Sequence, residues 1–158
     1  MSTIRPATVA DADELARLRW DFRLEHGTTL AMSFDEFREG FRRFVGDALG
    51  EGGAWRVWVA ADGGRLIGGA WLQVVERVPH PSLRRGERPI GYLTNVYVEP
   101  EVRDGGLGSD LLAEVLTWGR ERKLDLVVVW PSERSFSFYE RAGFGRPEDP
   151  LVFVIEGD

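Results

Sequence analysis

The sequence predicts a mixed α/β domain, and three observations carry that prediction. First, Asp62-Gly63-Gly64 separates two apolar runs, Trp55–Ala61 and Arg65–Val78, as an antiparallel hairpin requires. Second, a strand pattern over Ile90–Val98 runs through a glycine-rich turn into a helical stripe. A second apolar run, Leu124–Trp130, then completes a β-α-β crossover. Third, two helical stripes precede the hairpin, so the order reads β-α-α-β-β-β-α-β-α-β.

Each element has its own signal. Thr3–Pro6 reads as a short strand. Asp11, with Glu14 three residues on, reads as a helix cap. Leu15, Leu18 and Phe22 then follow at helical spacing until Gly27. Ser33 with Glu36 caps a second helix, whose stripe is Phe34, Phe37, Phe41, Phe44 and Val45, and Gly50–Gly53 stops it. Gly68-Gly69 marks a bulge or a close approach in the return strand. Pro79–Pro89 is a proline-bounded polar loop. The crossover helix runs over Asp110–Arg122 from a start near Leu107. Leu124–Trp130 has the continuous apolar pattern of a strand buried on both faces. A short helix from Pro131–Ser132 ends near Arg141, broken by Gly143 and Gly145, and Leu151–Ile155 closes the chain as a strand.

Composition narrows the function. The chain has 158 residues, enough for one domain spanning 1–158 with a substantial core. It has no cysteine, so a disulfide scaffold, a cysteine nucleophile and thiolate metal sites are excluded. Only His26 and His80 supply imidazole, and no metal site is expected. A net charge of −6 gives no nucleic-acid footprint. No apolar run approaches membrane-spanning length, and the start lacks a signal-peptide core, so a cytoplasmic protein with no membrane partner is expected.

The most informative stretch is Asn95–Leu112. Gly105, Gly106 and Gly108 can adopt positive φ and leave room for a ligand to approach the backbone. The helix that follows offers unpaired N–H groups and the positive end of its dipole to an anion, with Arg103 at the lip. A P-loop is excluded because Gly108 is followed by Ser109-Asp110 and not by a lysine. A dinucleotide fold is excluded because the strand arrives late and too little chain follows it.

Arg103-x-x-Gly106-x-Gly108 resembles the acyl-CoA-binding motif of the GCN5-related N-acetyltransferase (GNAT) family, Arg/Gln-x-x-Gly-x-Gly/Ala. Phe138-Tyr139-Glu140-Arg141-Ala142-Gly143-Phe144 is similar to the family's later helix, Phe-Tyr-x-x-x-Gly-Phe. Ile4-Arg5-Pro6-Ala7-Thr8 and Asp11-Ala12 look like its first strand and helix start. The resemblance implies a mixed, mostly antiparallel sheet, flanked by helices, whose strands four and five splay apart. It implies acetyl-CoA as co-substrate and direct transfer to a primary amine of a small molecule or peptide. Homodimers are common in the family. A non-catalytic acyl-CoA sensor of the same fold is the alternative.

Residue by residue, the resemblance places the main chain of Val96, Tyr97 and Val98 against the pantetheine arm. It places the amides of Arg103, Asp104, Gly105, Gly106, Leu107, Gly108 and Ser109 around the pyrophosphate. Asp104 departs from the glycine or basic residue often found there. Tyr139 matches the tyrosine that protonates the departing thiolate, and Ser135 is either a CoA contact or an ordinary helix-face serine. The usual strand-four glutamate is missing from Tyr92-Leu93-Thr94-Asn95-Val96. That leaves Asn95 to orient a water or the substrate, and Glu25, His26, Glu76 or His80 as candidate bases, with ordered water as another route. Asp21, Glu25, His26 and Glu36 would favour a cationic acceptor, whereas Arg84-Arg85-Gly86-Glu87-Arg88 would favour an anionic one. Among the tryptophans, Trp20 and Trp71 are candidate pocket residues.

Overall fold

A computed structural model describes residues 1–79, 81, 88–146 and 151–152. Five strands form one sheet in the order β1-β2-β3-β4-β5: β1 (Thr3–Pro6), β2 (Trp55–Asp62), β3 (Arg65–Val75), β4 (Ile90–Val98) and β5 (Val127–Val129). β1 to β4 pair antiparallel, and β4–β5 is parallel, as a helical crossover requires. Four helices complete the architecture: α1 (Ala12–Glu25), α2 (Phe34–Leu49), α3 (Leu107–Glu121) and the short α4 (Phe136–Arg141). Among the described residues no helix is long and apolar enough to cross a membrane.

Strand alternation divides the core between the two sheet faces. Val57, Val59 and Ala61 pack with Leu15, Leu18 and Val45 of α1 and α2. Trp58 and Ala60, one residue out of step, pack with Leu107, Leu111, Leu112 and Val115 of α3. The α1 stripe is core as predicted. The α2 stripe is not: its buried residues are Val45 and Ala48, and Phe44 is 41% exposed. Phe41 and Phe44 instead line a side pocket described below, and Phe34 and Phe37 pack on Trp20. The Ser33/Glu36 capping box forms as read, whereas Asp11 does not cap α1 with its side chain. Asp11 completes a capping box with Thr8 and pairs with Arg5, and Glu14 turns to Arg17 and the Leu66 amide.

Three further differences matter. β5 spans Val127–Val129 and is half-buried, with Trp130 68% exposed. Among the described residues it pairs with β4 alone, and with all three of its residues half-buried it is not a strand buried on both faces. Leu151 and Val152 are exposed and unpaired, and the remainder of the predicted closing strand lies outside the described residues. Gly68 is a close-approach point: a Cβ there would stand 3.0 Å from the Tyr97 carbonyl oxygen. The register also shifts on both sides of β3, between Ala60 and Ala61 and between Gly69 and Trp71.

A charged knot fixes α1 to the sheet. Glu99, at 8% exposure, accepts from Arg17 and Arg65, each at 2.7 Å. Arg17 also reaches the Leu66 carbonyl oxygen at 2.6 Å and pairs with Glu14 and Asp21. Because Glu99 directly follows β4, this knot sets where the end of α1 stands relative to that strand.

Candidate functional site: a cleft at the β4–β5 fork

β4 and β5 pair through Gly91–Val127, Tyr92–Val128 and Leu93–Val129, and then part. From Thr94 to Val98 the edge of β4 has no strand beside it among the described residues, leaving main-chain groups there without a ladder partner on that side. A cleft of about 850 Å³ occupies the fork.

β4 bends where it separates. Gly69 pairs with Tyr97 and Trp71 with Thr94, so Ala70 alone faces both Asn95 and Val96. The extra residue is a bulge, a device that turns a strand and re-aims its side chains. Asn95 carries the positive φ, 51°, a conformation asparagine tolerates better than most residues. The strand pattern over Ile90–Val98 predicts no break, and the asparagine within it is the one local signal of the bulge.

The glycine loop forms the second wall. Gly106 caps α3 with φ 86°, and a Cβ there would meet nothing within 4 Å. Its glycine is therefore required by conformation and not by crowding. Gly106 has no side chain to cap the helix, and the first intrahelical bond in the turn is Asp110 N to Gly106 O at 3.0 Å. The amides of Leu107, Gly108 and Ser109 are the orphan donors of the first turn. Asp104 carries φ 64°, so it occupies a glycine-like conformation, and its side chain is exposed. Gly105 and Gly108 do not need positive φ.

Arg103 stands at the lip as read. Its Nε donates to the Val98 carbonyl oxygen at 2.9 Å, and its guanidinium lies over Tyr97 at 5.5 Å. Its two terminal nitrogens donate to Glu25 at 2.6 Å each. That hydrogen-bonded pairing holds the Glu25 carboxyl below the usual carboxylate range. Burial first, and then the Glu25 charge, push the Tyr97 phenol up to about 12.

Tyr139 lines the cleft from α4, 7% exposed, between Phe138 and Phe144. Burial pushes its phenol up to about 12, so it stays protonated at any working pH. His26 Nδ1 lies 2.8 Å from the Phe22 carbonyl oxygen and donates to it, leaving Nε2 with the lone pair. Ser135 also lines the cleft, with its hydroxyl turned to Ser132.

The predicted acidic cluster is not assembled as one group. Asp21 pairs with Arg17, Glu25 with Arg103, and Glu36 with Ser33. Glu76 is exposed and away from the cleft lining. His80 and residues 84–87 lie outside the described residues. Trp20 packs on Phe34 and Phe37, whereas Trp71 does line a pocket. Sequence reasoning missed Arg19, Arg134, Arg141 and Trp130, all on the cleft. Arg19 was legible: it sits in the apolar stripe, four residues after Leu15 and three before Phe22. Five arginines (19, 23, 103, 134 and 141) face two carboxylates, Glu25 and Asp104, across this cleft. The site is thus locally cationic in a chain of net charge −6, which suits a polyanionic ligand.

Known proteins resemble the chain in sequence and in shape. A glucosamine 6-phosphate N-acetyltransferase from Trypanosoma brucei brucei is 35% identical over 81 residues, 51% of this chain and 52% of that protein. A mycothiol acetyltransferase from Saccharomonospora viridis is 32% identical over 108 residues, 61% of this chain and 34% of that protein. The matched regions therefore span about half and about a third of those relatives' lengths. Among solved structures, a GCN5-related N-acetyltransferase from Ralstonia eutropha superposes with TM-score 0.75 at 27% identity, covering 98% of this chain and 99% of that one. A chain from Clostridium acetobutylicum, described as a predicted acetyltransferase and solved with acetyl-CoA, gives TM-score 0.79 at 20% identity, covering 98% and 96%, and shares the fold. The sequence model of the acetyltransferase (GNAT) family matches residues 13–144, and the forked sheet, the bulged fourth strand and the glycine-capped helix are all in that span. On this match the chain belongs to the acetyltransferase (GNAT) family.

Proposed function

We propose that the protein is an acetyl-CoA-dependent N-acetyltransferase that passes an acetyl group directly to a primary amine while both substrates are bound. One observation carries this reading most. A strand edge unpaired among the described residues, an uncapped helix N-terminus and Arg103 meet in one cleft with Tyr139. An extended arm bearing amides can add to such an edge as a further strand, and a diphosphate suits the orphan amides and the guanidinium. The two relatives named above are both acetyltransferases, which supports the same assignment.

Acetyl-CoA supplies an acyl group already activated as a thioester. The chain's residues do the rest. Main-chain groups of Val96–Val98 align the pantetheine arm, and the amides of Leu107, Gly108 and Ser109, with Arg103, take the phosphates. Asn95 Oδ1 accepts from Arg19 at 3.0 Å and keeps a second lone pair to accept an N–H of the amine, while its amide nitrogen is free to donate to a water. Tyr139 donates its O–H to the sulfur as the C–S bond lengthens. A thiol titrates near ~8.5, below a phenol held at about 12. Tyr139 therefore stabilises the thiolate chiefly as a hydrogen-bond donor, and the proton shed by the amine makes up the balance. Glu25, which Arg103 holds below the usual carboxylate range, is a poor acceptor for that proton, which leaves His26 or an ordered water to take it.

The test has three parts. Acetyl-CoA at 100 times its Kd stabilises the fold by ~2.7 kcal/mol, whereas no thermal shift at millimolar ligand removes the reading. Thiol release with an amine panel separates a transferase from an acyl-CoA sensor, the second reading, for which the carboxylate-free β4 is the motive. Tyr139→Phe lowers turnover by ~100-fold or more with CoA affinity nearly unchanged, and full turnover in that variant rejects its role.

A further inference from the structure

A second pocket, of about 150 Å³, opens beside the cleft on the α1–α2 side of the sheet. Phe41, Phe44, Trp55 and Trp71 wall it. Phe44 stacks on Trp71 at 5.9 Å and 25°, and Phe41 and Trp55 meet Trp71 edge-on at 5.8 and 5.9 Å. A space of that volume is large enough for a benzene ring. Arg19, Thr94 and Asn95 line both this pocket and the main cleft, so they form the border between the two.

Arg19 is the unusual member. It is half-buried, and its terminal Nη1 donates to a neutral acceptor, Asn95 Oδ1, at 3.0 Å. Its guanidinium lies 5.7 Å from the Phe22 ring centre. Among the described residues no carboxylate pairs with it, and after burial the largest charge effect on it comes from another arginine, Arg23, with Tyr92 opposing it more weakly. Burial and that like charge both disfavour its cation. A partly desolvated cation with unused donors calls for an anion from outside the chain.

We propose that the acceptor is an α-amino acid with an aromatic side chain, its carboxylate on Arg19, its ring in the Phe41–Phe44–Trp55–Trp71 pocket and its amine at Asn95. The class follows from spacing, because an α-amino acid carries amine and carboxylate on one carbon and Arg19 and Asn95 are in hydrogen-bond contact. This rests on the transferase reading above. In the reaction the ammonium loses a proton to solvent or to His26. The nitrogen then bonds to the acetyl carbon as the C–S bond breaks, and the products are the N-acetyl amino acid, CoA thiol and one released proton.

The experiment compares four acceptors with acetyl-CoA by thiol release: L-phenylalanine, phenethylamine without the carboxylate, glycine without the ring, and glucosamine 6-phosphate. The expected kcat/KM for phenylalanine is about 30-fold above both phenethylamine and glycine, since each lacks one anchor. Arg19→Gln shrinks the phenylalanine-to-phenethylamine ratio to a few-fold. In the presence of CoA, L-phenylalanine also changes the fluorescence of the pocket tryptophans, a reading that needs no turnover. If phenethylamine, glycine or glucosamine 6-phosphate is the better acceptor, the amino-acid assignment falls while the transferase reading stands. If acetyl-CoA binds but no amine in a broad panel is acetylated, both fall.

Discussion

The contact between Arg103 and Glu25 makes a prediction whose sign is informative. A diphosphate on the glycine loop needs the same two guanidinium N–H groups that Glu25 now accepts at 2.6 Å. Arg103 would not swing away without Glu25, because its Nε is held by the Val98 carbonyl oxygen at 2.9 Å and its plane rests over Tyr97. Glu25→Gln should therefore leave the arginine in place and remove a competitor. The two side chains are 32% and 23% exposed, so the pair belongs near the top of the range for solvent-screened pairs, ~1 kcal/mol. Removing that competition should tighten CoA binding by ~5-fold. Stability should hardly change, since a carboxylate at the end of α1 opposes the helix dipole and its loss offsets part of the lost pair. Calorimetric titration of CoA at fixed salt measures the effect, with Arg103→Ala as the reference that weakens binding. Weaker binding by Glu25→Gln would show that Glu25 positions Arg103 for the ligand, contrary to the reasoning here.

Other perturbations have equally definite outcomes. Gly106→Ala forces a Cβ into φ 86°, so it should cost ~1–2 kcal/mol and weaken CoA binding, although the added methyl meets no neighbour; denaturant unfolding and CoA titration read both effects. Asp104→Gly relieves a non-glycine residue at φ 64° and removes a carboxylate beside the phosphates, so stability should hold or rise while CoA affinity rises a few-fold, as the same two measurements would record. Glu99→Ala leaves Arg17 without its buried partner. With Arg65 already 62% exposed and Arg17 keeping Glu14 and Asp21, the loss should be ~2–3 kcal/mol, or roughly 4–10 °C in Tm by calorimetry. For pH, hydrogen bonds from arginine hold Asp11, Glu14 and Glu25 below the usual carboxylate range. Their stabilisation is present above the unfolded value near ~4 and is lost as pH falls through the lower folded values. At the alkaline end Tyr97 and Tyr139, pushed up to about 12, favour the folded state below pH ~10 and lose that contribution as pH climbs toward 12. Unfolding free energies measured across pH should show both edges.

Local rules made most of the fold legible. The hairpin at Asp62-Gly63-Gly64, the Ser33/Glu36 box and the α1 stripe depend on neighbours within a few residues, and all three form where the pattern puts them. The features that make the site depend on distant partners. The bulge at Asn95 exists because β4 carries one more residue than β3 between the Gly69–Tyr97 and Trp71–Thr94 pairs, which the β4 sequence alone does not state. Leu124–Trp130 has the pattern of a central strand because hydrophobicity reports burial without reporting which neighbour supplies it, and among the described residues β5 pairs with β4 alone. Phe41 and Phe44 of α2 keep their helical spacing yet form pocket wall, because Trp55 and Trp71 from the sheet stand opposite them. The α1 carboxylates Asp21 and Glu25 have the pattern of an acceptor site, but each is paired with an arginine, Asp21 with Arg17 and Glu25 with Arg103.

The most direct measurement is a crystal structure of the protein grown with acetyl-CoA. The expected density runs as an extended arm beside Val96–Val98, in the fork past Leu93 and Val129, with its phosphates on the amides of 107–109 and Arg103. Density for the cofactor elsewhere, or a sixth strand from the chain itself filling that fork, would contradict the central claim.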